Sequence, residues 1–215
     1  MGKFGKGILG PFSGKVGTVI GAVREGEWTM RSLPSKSSKP ATAAQLAQRA
    51  AFGLMIGFFR PIGQVLKAGF RNRKRGQSAN NAAMQYNLNE AIVGVYPDLS
   101  LDYSKITLSR GPLLEPPVMD VSAAVDAQLD FSWLNNAGTG LGNTNGTDKV
   151  TIVVYNTVKD RFVVVQDSVA RSTQSYALSL PPDFSGDSVD IWVFFVSADG
   201  KHASDSVYLG DMDIA

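Results

Sequence analysis

The sequence predicts an α+β protein in which an N-terminal arm with a β-hairpin and a few short helices precede an antiparallel β-sandwich. Three observations carry this expectation. Glycine and lysine crowd the first twenty residues, apolar side chains recur at helical spacing after Thr42, and from Tyr103 onward the apolar period drops to two.

The elements follow in order. Val16 to Val23 and Trp28 to Leu33 are β-type runs separated by Arg24-Glu25-Gly26-Glu27, which reads as a turn, so a hairpin follows a Gly-rich arm. Pro34 to Pro40, PSKSSKP, is polar and bounded by proline, and is expected to be an extended connector. Thr42 can cap a helix whose apolar positions Leu46, Ala50, Leu54, Met55, Phe58 and Phe59 share a face, and Pro61 ends it. A second helical stretch runs from about residue 62 to 70. After the cluster Arg71, Arg73, Lys74 and Arg75, Gly76 breaks the chain before a third helix, SANNAAMQYNLNEAI. Three short helices bury little by themselves, so they need the hairpin, the sandwich or a neighbouring subunit to pack against.

The runs KITLSR, QLDFSWL, KVTIVVYN, RFVVVQ, SYALSL, SVDIWVFF and DSVYLG are separated by Gly, Asn, Asp and Pro. Seven short strands with regular turn signals describe a sandwich, with Trp133 and Tyr155 at inward-facing positions. The pattern resembles a fibronectin type III or related immunoglobulin-like module, and a chain without cysteine lacks the antibody-type disulfide. Three regions are expected: the arm and hairpin over 1–40, a helical region with the basic cluster over 41–102, and the sandwich over 103–215.

Composition narrows the function classes. The absence of cysteine removes disulfides, thiolate metal sites and Cys nucleophiles. The longest apolar run, Ala50 to Phe59, is too short to span a bilayer, which needs about 20 residues. Gly53 and Gly57 are spaced for close helix packing in a core. The N-terminus is broken by Gly and Pro and lacks the apolar stretch of a secretory signal, which makes cytoplasmic synthesis the expectation. Net charge is only +2, but residues 1–110 hold 16 Lys or Arg against 5 Asp or Glu, and residues 111–215 hold 5 against 14. That division favours an anionic partner for the first half or attraction between copies of the chain.

No motif nominates a catalytic residue, a cofactor or a metal set. Gly10-Pro11-Phe12-Ser13-Gly14-Lys15-Val16 has three residues between its glycines and Val where a phosphate loop has Ser or Thr. Gly138, Gly140 and Gly142 lie between two antiparallel-type strands, where they read as a loop. His202, the sole histidine, sits beside Gly200 and Lys201 and reads as an exposed turn residue without an acid-base partner. Asn143, Asn145, Gly146, Thr147 and Asp148 bring oxygen ligands into one loop, which leaves calcium open beside a plain turn, although the EF-hand pattern is missing.

Several stretches look like a family of proteins of unknown function from Bacteroidetes-type bacteria. They include GILGPFSGKVGTVIG at 7–21, MRSLP at 30–34, ATAAQLAQRAAF at 41–52, NAAMQYN at 81–87, DYSKITLSRG at 102–111, TDKVTIVVYN at 147–156 and the ending SADGKHASDSVYLG. That resemblance implies the two-part layout and supplies no catalytic residue. The form T-x-A-Q-x-x-Q-R-x-x-F also resembles segments of phage-related proteins, which implies a particle or virion component.

The expectation is therefore a non-catalytic structural or assembly subunit, filament- or particle-associated, that binds itself or other structural proteins. Its contact residues are expected to be Phe4, Ile8, Leu9 and Phe12 in the arm, with Arg71, Arg73, Lys74 and Arg75 in the basic cluster. Arg49, Arg60 and Lys67 are candidates for the same surface. The alternative is a nucleic-acid-binding protein whose basic half grips phosphates.

Overall fold

The computed structural model describes residues 3–4, 10–24, 26–35, 38–115, 117, 119–125, 127–138 and 144–214. The chain begins with a four-stranded antiparallel sheet in the order β1 (Lys3–Phe4), β2 (Phe12–Val16), β3 (Val19–Arg24) and β4 (Glu27–Ser32). The expected hairpin is β3–β4. The arm expected before it contributes strands of its own, and Val16 belongs to β2, because Gly17 takes a left-handed φ of 57° and turns the chain after it. The second glycine of the would-be phosphate loop, Gly14, lies within β2. Glu25, Ile8 and Leu9 lie outside the described residues.

Three helices follow: α1 (Ala43–Phe59), α2 (Gly63–Gly69) and α3 (Ala79–Glu90). The Thr42 hydroxyl accepts from the Gln45 N–H at 3.3 Å while the Gln45 side chain accepts from the Thr42 N–H at 3.1 Å, a reciprocal cap that starts α1 where the sequence indicates. Ser78 caps α3 by accepting from the Asn81 N–H at 3.2 Å. The helical region also holds an unexpected hairpin, β5 (Ile92–Val95) and β6 (Asp98–Leu101), turned by a cis Tyr96–Pro97 bond.

Among the described residues the sandwich has seven strands, one of them different from expectation. A three-stranded sheet has the order β11 (Ser175–Ser179), β8 (Gln128–Trp133), β7 (Met119–Ala124). A four-stranded sheet has the order β10 (Arg161–Val165), β9 (Lys149–Asn156), β12 (Ser188–Val196), β13 (Val207–Asp213). This three-plus-four antiparallel arrangement is immunoglobulin-like. KITLSR at 105–110 is not a strand. It runs as an extended strap between the helices and the sandwich, held by side-chain and turn hydrogen bonds in place of a ladder. Leu108 N–H donates to Ser206 Oγ at 2.9 Å, Arg110 N–H to the Gly69 carbonyl at 3.2 Å, and Thr107 N–H to Asn87 Oδ1 at 2.8 Å. Asn87 is buried and returns two donations, to the carbonyls of Ala83 and Thr107, both at 2.9 Å. A Cβ at Gly69 would stand 2.3 Å from the Leu108 carbonyl oxygen, so only glycine lets the strap lie this close to α2.

Two cores result, one on each face of the four-stranded sheet. Between the sheets, Leu129, Phe131 and Trp133 meet Ile152, Val154, Ile191, Val193 and Phe195. On the outer face, Val153, Tyr155, Trp192 and Phe194 meet Met55, Phe58, Phe59, Leu66 and Ala83 of the helices. Trp133 faces inward between the sheets, as expected, whereas Tyr155 lies on the outer face of the four-stranded sheet and packs against the helices. The molecule is thus helix layer, sheet and sheet, and the central sheet is buried on both faces.

Candidate functional site

The β1–β4 sheet is amphipathic in a way that register makes explicit. Cross-strand partners share a face, and Val16↔Val19, Gly14↔Gly21, Gly21↔Met30 and Val23↔Trp28 put these residues on one side. On the other side stand Lys15, Ile20 and Arg31, joined by Lys15↔Ile20 and Ile20↔Arg31, with Ala22 opposite Thr29. On the first face Phe12 is half-buried over Gly21, yet Val16, Val23, Trp28 and Met30 are 39, 46, 52 and 70% exposed. No described residue of this sheet belongs to either core. Among the described residues β4 pairs with β3 alone, which leaves it an edge strand with backbone groups open to pairing. Of the arm residues expected to make contacts, Phe12 therefore lies on the apolar face and Phe4 pairs with it in register. Ile8 and Leu9 lie outside the described residues, as does the Phe4 side chain.

The basic cluster is exposed but partly occupied. Arg73 donates to the carbonyls of Gln77 at 2.8 Å and Phe70 at 3.0 Å, the latter at the C-terminus of α2, where cations are favoured. Arg75 lies 3.1 Å from Glu27 of β4 and so ties the cluster to the N-terminal sheet. Lys67, Arg71 and Arg73 line a cavity of ≈270 Å³ with Ser78 and Asn80 at the start of α3. Arg49, Arg60 and Lys74 do not line it.

Gly53 and Gly57 do not support close helix packing. A Cβ at either would meet nothing within 4 Å, and both line an open cleft of ≈500 Å³ whose far wall includes Leu101, Tyr103 and Tyr155. Tyr155 donates to Asp160 at 2.9 Å, and burial followed by that bond raises its phenol above the ordinary range.

At one end of the sandwich lies a polar centre that sequence reading places only in part. Arg171 is fully buried, sits 3.9 Å over the Phe195 ring, and donates at 2.8 Å to Asn136 Oδ1 and to the Leu114 carbonyl. Its Nε lies 3.4 Å from Asp148 Oδ2, an ion-pair separation with no hydrogen bond. Asp148 Oδ2 accepts from the Asn145 N–H at 3.0 Å, and Asp148 is also buried. Burial pushes the Asp148 carboxyl up and the Arg171 guanidinium down, so desolvation outweighs mutual attraction in both directions. Asn145 and Asp148 thus have a structural task. Asn143, Gly140 and Gly142 lie outside the described residues, while Gly138 occupies a turn with φ 82°. His202 is partly buried, contrary to an exposed turn; its backbone N–H donates to Ser197 Oγ at 2.9 Å and its Nδ1 is buried. Among the described residues no group of three His, Cys, Asp or Glu could hold a metal, and no helix is long and apolar enough to cross a membrane.

Asp199 accepts from Ser197 Oγ at 2.6 Å and from the Lys201 N–H at 3.1 Å, with the Lys201 ammonium also beside it, and these hold its carboxyl down at about 2. A depressed carboxyl contributes stability that is complete above the unfolded value and is lost as pH falls through the folded one. Asp199→Asn is therefore expected to lower the urea midpoint at neutral pH, with the deficit shrinking as pH falls from about 4 toward about 2. A deficit equal at both ends of that window would show that the carboxylate charge is not the cause.

A protein-family model described as "Family of unknown function (DUF6266)" matches residues 11–210. No curated protein matches the chain. Among solved structures, the chain is similar to the chicken CNTN1 FN1–FN3 domains, at 15% identity and TM-score 0.37 over 49% of this chain and 32% of that one. It is also similar to the fibronectin type III domain of the human collagen alpha-1(XX) chain, at 13% identity, TM-score 0.34 and coverage of 46% and 83%. A third is the fibronectin type III domain of human contactin 1, at 14% identity, TM-score 0.32 and coverage of 57% and 93%. The match thus spans about a third of the chicken chain.

Proposed function

We propose that this chain, which belongs to the family of unknown function DUF6266, is a non-catalytic assembly subunit that docks onto a second copy of itself through its N-terminal sheet. The observation that carries this reading is the exposed apolar face of Val16, Val23, Trp28 and Met30 on a sheet outside both cores. Soluble chains seldom leave such a face bare, and burying one apolar side chain contributes about 1.5–3 kcal/mol. Charge offers a second contact. Lys15 and Arg31 stand on the opposite face of a basic first half, while the sandwich presents exposed Asp120 and Asp130 on the outer side of β7 and β8. Unlike surfaces meeting head to tail generate rings or filaments, which suits a particle or filament component.

Deleting residues 1–33 tests this. The expected product is folded, with both cores intact, and no longer associates in light scattering, whereas the full chain associates and loosens as salt rises. A full chain that is monomeric at every accessible concentration, or a truncated chain that keeps its oligomeric state, overturns the reading. Truncation that unfolds the protein returns the sheet to an internal covering role. The cavity of Lys67, Arg71 and Arg73 favours a second reading, contact with nucleic-acid phosphates. Under it, charge removal at Arg71, Arg73, Lys74 and Arg75 abolishes a salt-sensitive DNA or RNA shift that the full chain must first display.

A further inference from the structure

The strand-end cavity of the sandwich holds two buried polar atoms that the protein leaves without partners. Asn145, Thr147, Asp148, Ser197, Asp199 and His202 line a space of ≈320 Å³. Asp148 Oδ1 and His202 Nδ1 are both buried and make no hydrogen bond within the protein, so they do not reach each other either. The Asp148 side chain is 1% exposed, and buried polar atoms are normally paired because an unmade bond costs about 1–3 kcal/mol.

We infer that this cavity binds a primary ammonium group, which donates to Asp148 Oδ1 and to His202 Nδ1. With the imidazole proton on Nε2, both orphan atoms are acceptors, and one ammonium carries three donors. Arg171 stands beside Asp148 through Nε, 3.4 Å from Oδ2, while its two terminal nitrogens serve Asn136 and Leu114, which leaves Asp148 Oδ1 for a further cationic donor. Asp199, at the same cavity, adds a second carboxylate. A coordinated metal fits less well, since the described residues assemble no set of three metal-ligating side chains. An ammonium needs only one desolvated carboxylate and a neutral acceptor. The site lies outside the N-terminal sheet and is independent of self-assembly.

The test is amide NMR of the full chain, following residues 145–148 and 197–202 during titration with n-butylammonium chloride and, separately, with Nα-acetyl-lysine amide. Saturable shifts confined to these residues are expected from at least one probe, with tetramethylammonium, which has no N–H, producing none. Response to both probes identifies free amines as competent ligands, and response to the lysine amide alone identifies a polypeptide lysine. His202→Phe, which keeps the ring and removes the acceptor, is expected to weaken the interaction about tenfold. Asp148→Asn is expected to abolish it, and if that variant does not fold, His202→Phe decides. Shifts produced equally by tetramethylammonium, shifts from calcium chloride alone, or no shift from either amine overturn the proposal and leave calcium or water as the occupant.

Discussion

Arg171→Ala is expected to destabilise the protein by about 3–5 kcal/mol, measured as a lower urea midpoint at unchanged slope. The guanidinium is fully buried and is the cation beside Asp148, so its removal leaves a buried carboxylate without its counter-charge. It also removes the donors that Arg171 gives to the Leu114 carbonyl and to Asn136 Oδ1, and opens a void under Phe195. The large loss does not mean that the intact pair is strongly stabilising. Burial opposes the charged form of both partners, so the double variant Asp148→Ala with Arg171→Ala should cost less than the two single losses added together. Added salt should leave the effect unchanged, because screening does not reach a buried pair. A loss below about 1 kcal/mol would show that water reaches Asp148 once the guanidinium is gone.

Nothing in the sequence around Arg171 announces this. SVARSTQSY reads as a polar turn before a strand, and the cation is recruited by residues 23 and 35 positions earlier. The helix caps, by contrast, are local signals, and Thr42 and Ser78 act where they stand. The strand-like pattern of KITLSR has a physical cause as well. In KITLSR the apolar Ile106 and Leu108 alternate with polar neighbours, and both are buried, but they fill the core under the helices while Ser109 and Thr107 bond to loops and to Asn87. Period-two burial arises in a strap as readily as in a ladder. The true first strand, MDVSAA, has half its residues exposed and gives almost no signal. The cover on the central sheet was legible in IWVFFV: an unbroken apolar run requires burial on both faces. For the candidate sites the basic cluster could be found by counting charge. The apolar face of the N-terminal sheet required the register of β2, which the glycines around it obscure.

Phe58→Ala is expected to cost about 3–5 kcal/mol and to do so for the helices and the sandwich together. Phe58 stands on α1 with its ring 5.1 Å from Tyr155 and from Phe162, 5.8 Å from Tyr103 and 6.1 Å from Trp192, so one side chain of the helical layer touches three residues of the sandwich sheet. Edge-to-face aromatic pairs add about 0.5–1.5 kcal/mol each beyond burial, and truncation forfeits several at once. Because Met55, Phe59 and Leu66 share this core with Val153 and Trp192, the layers cannot separate without exposing both. Far-ultraviolet circular dichroism, which follows the helices, and tryptophan fluorescence, to which the buried Trp133 and Trp192 contribute beside the exposed Trp28, should therefore report one coincident transition in the parent and in Phe58→Ala, displaced to lower urea in the variant. Phe58→Leu should fall between them, since it keeps apolar volume and loses the ring contacts. Two separated transitions in the parent would mean that the helices form a unit of their own. A variant as stable as the parent would mean that the aromatic cluster closes over the gap.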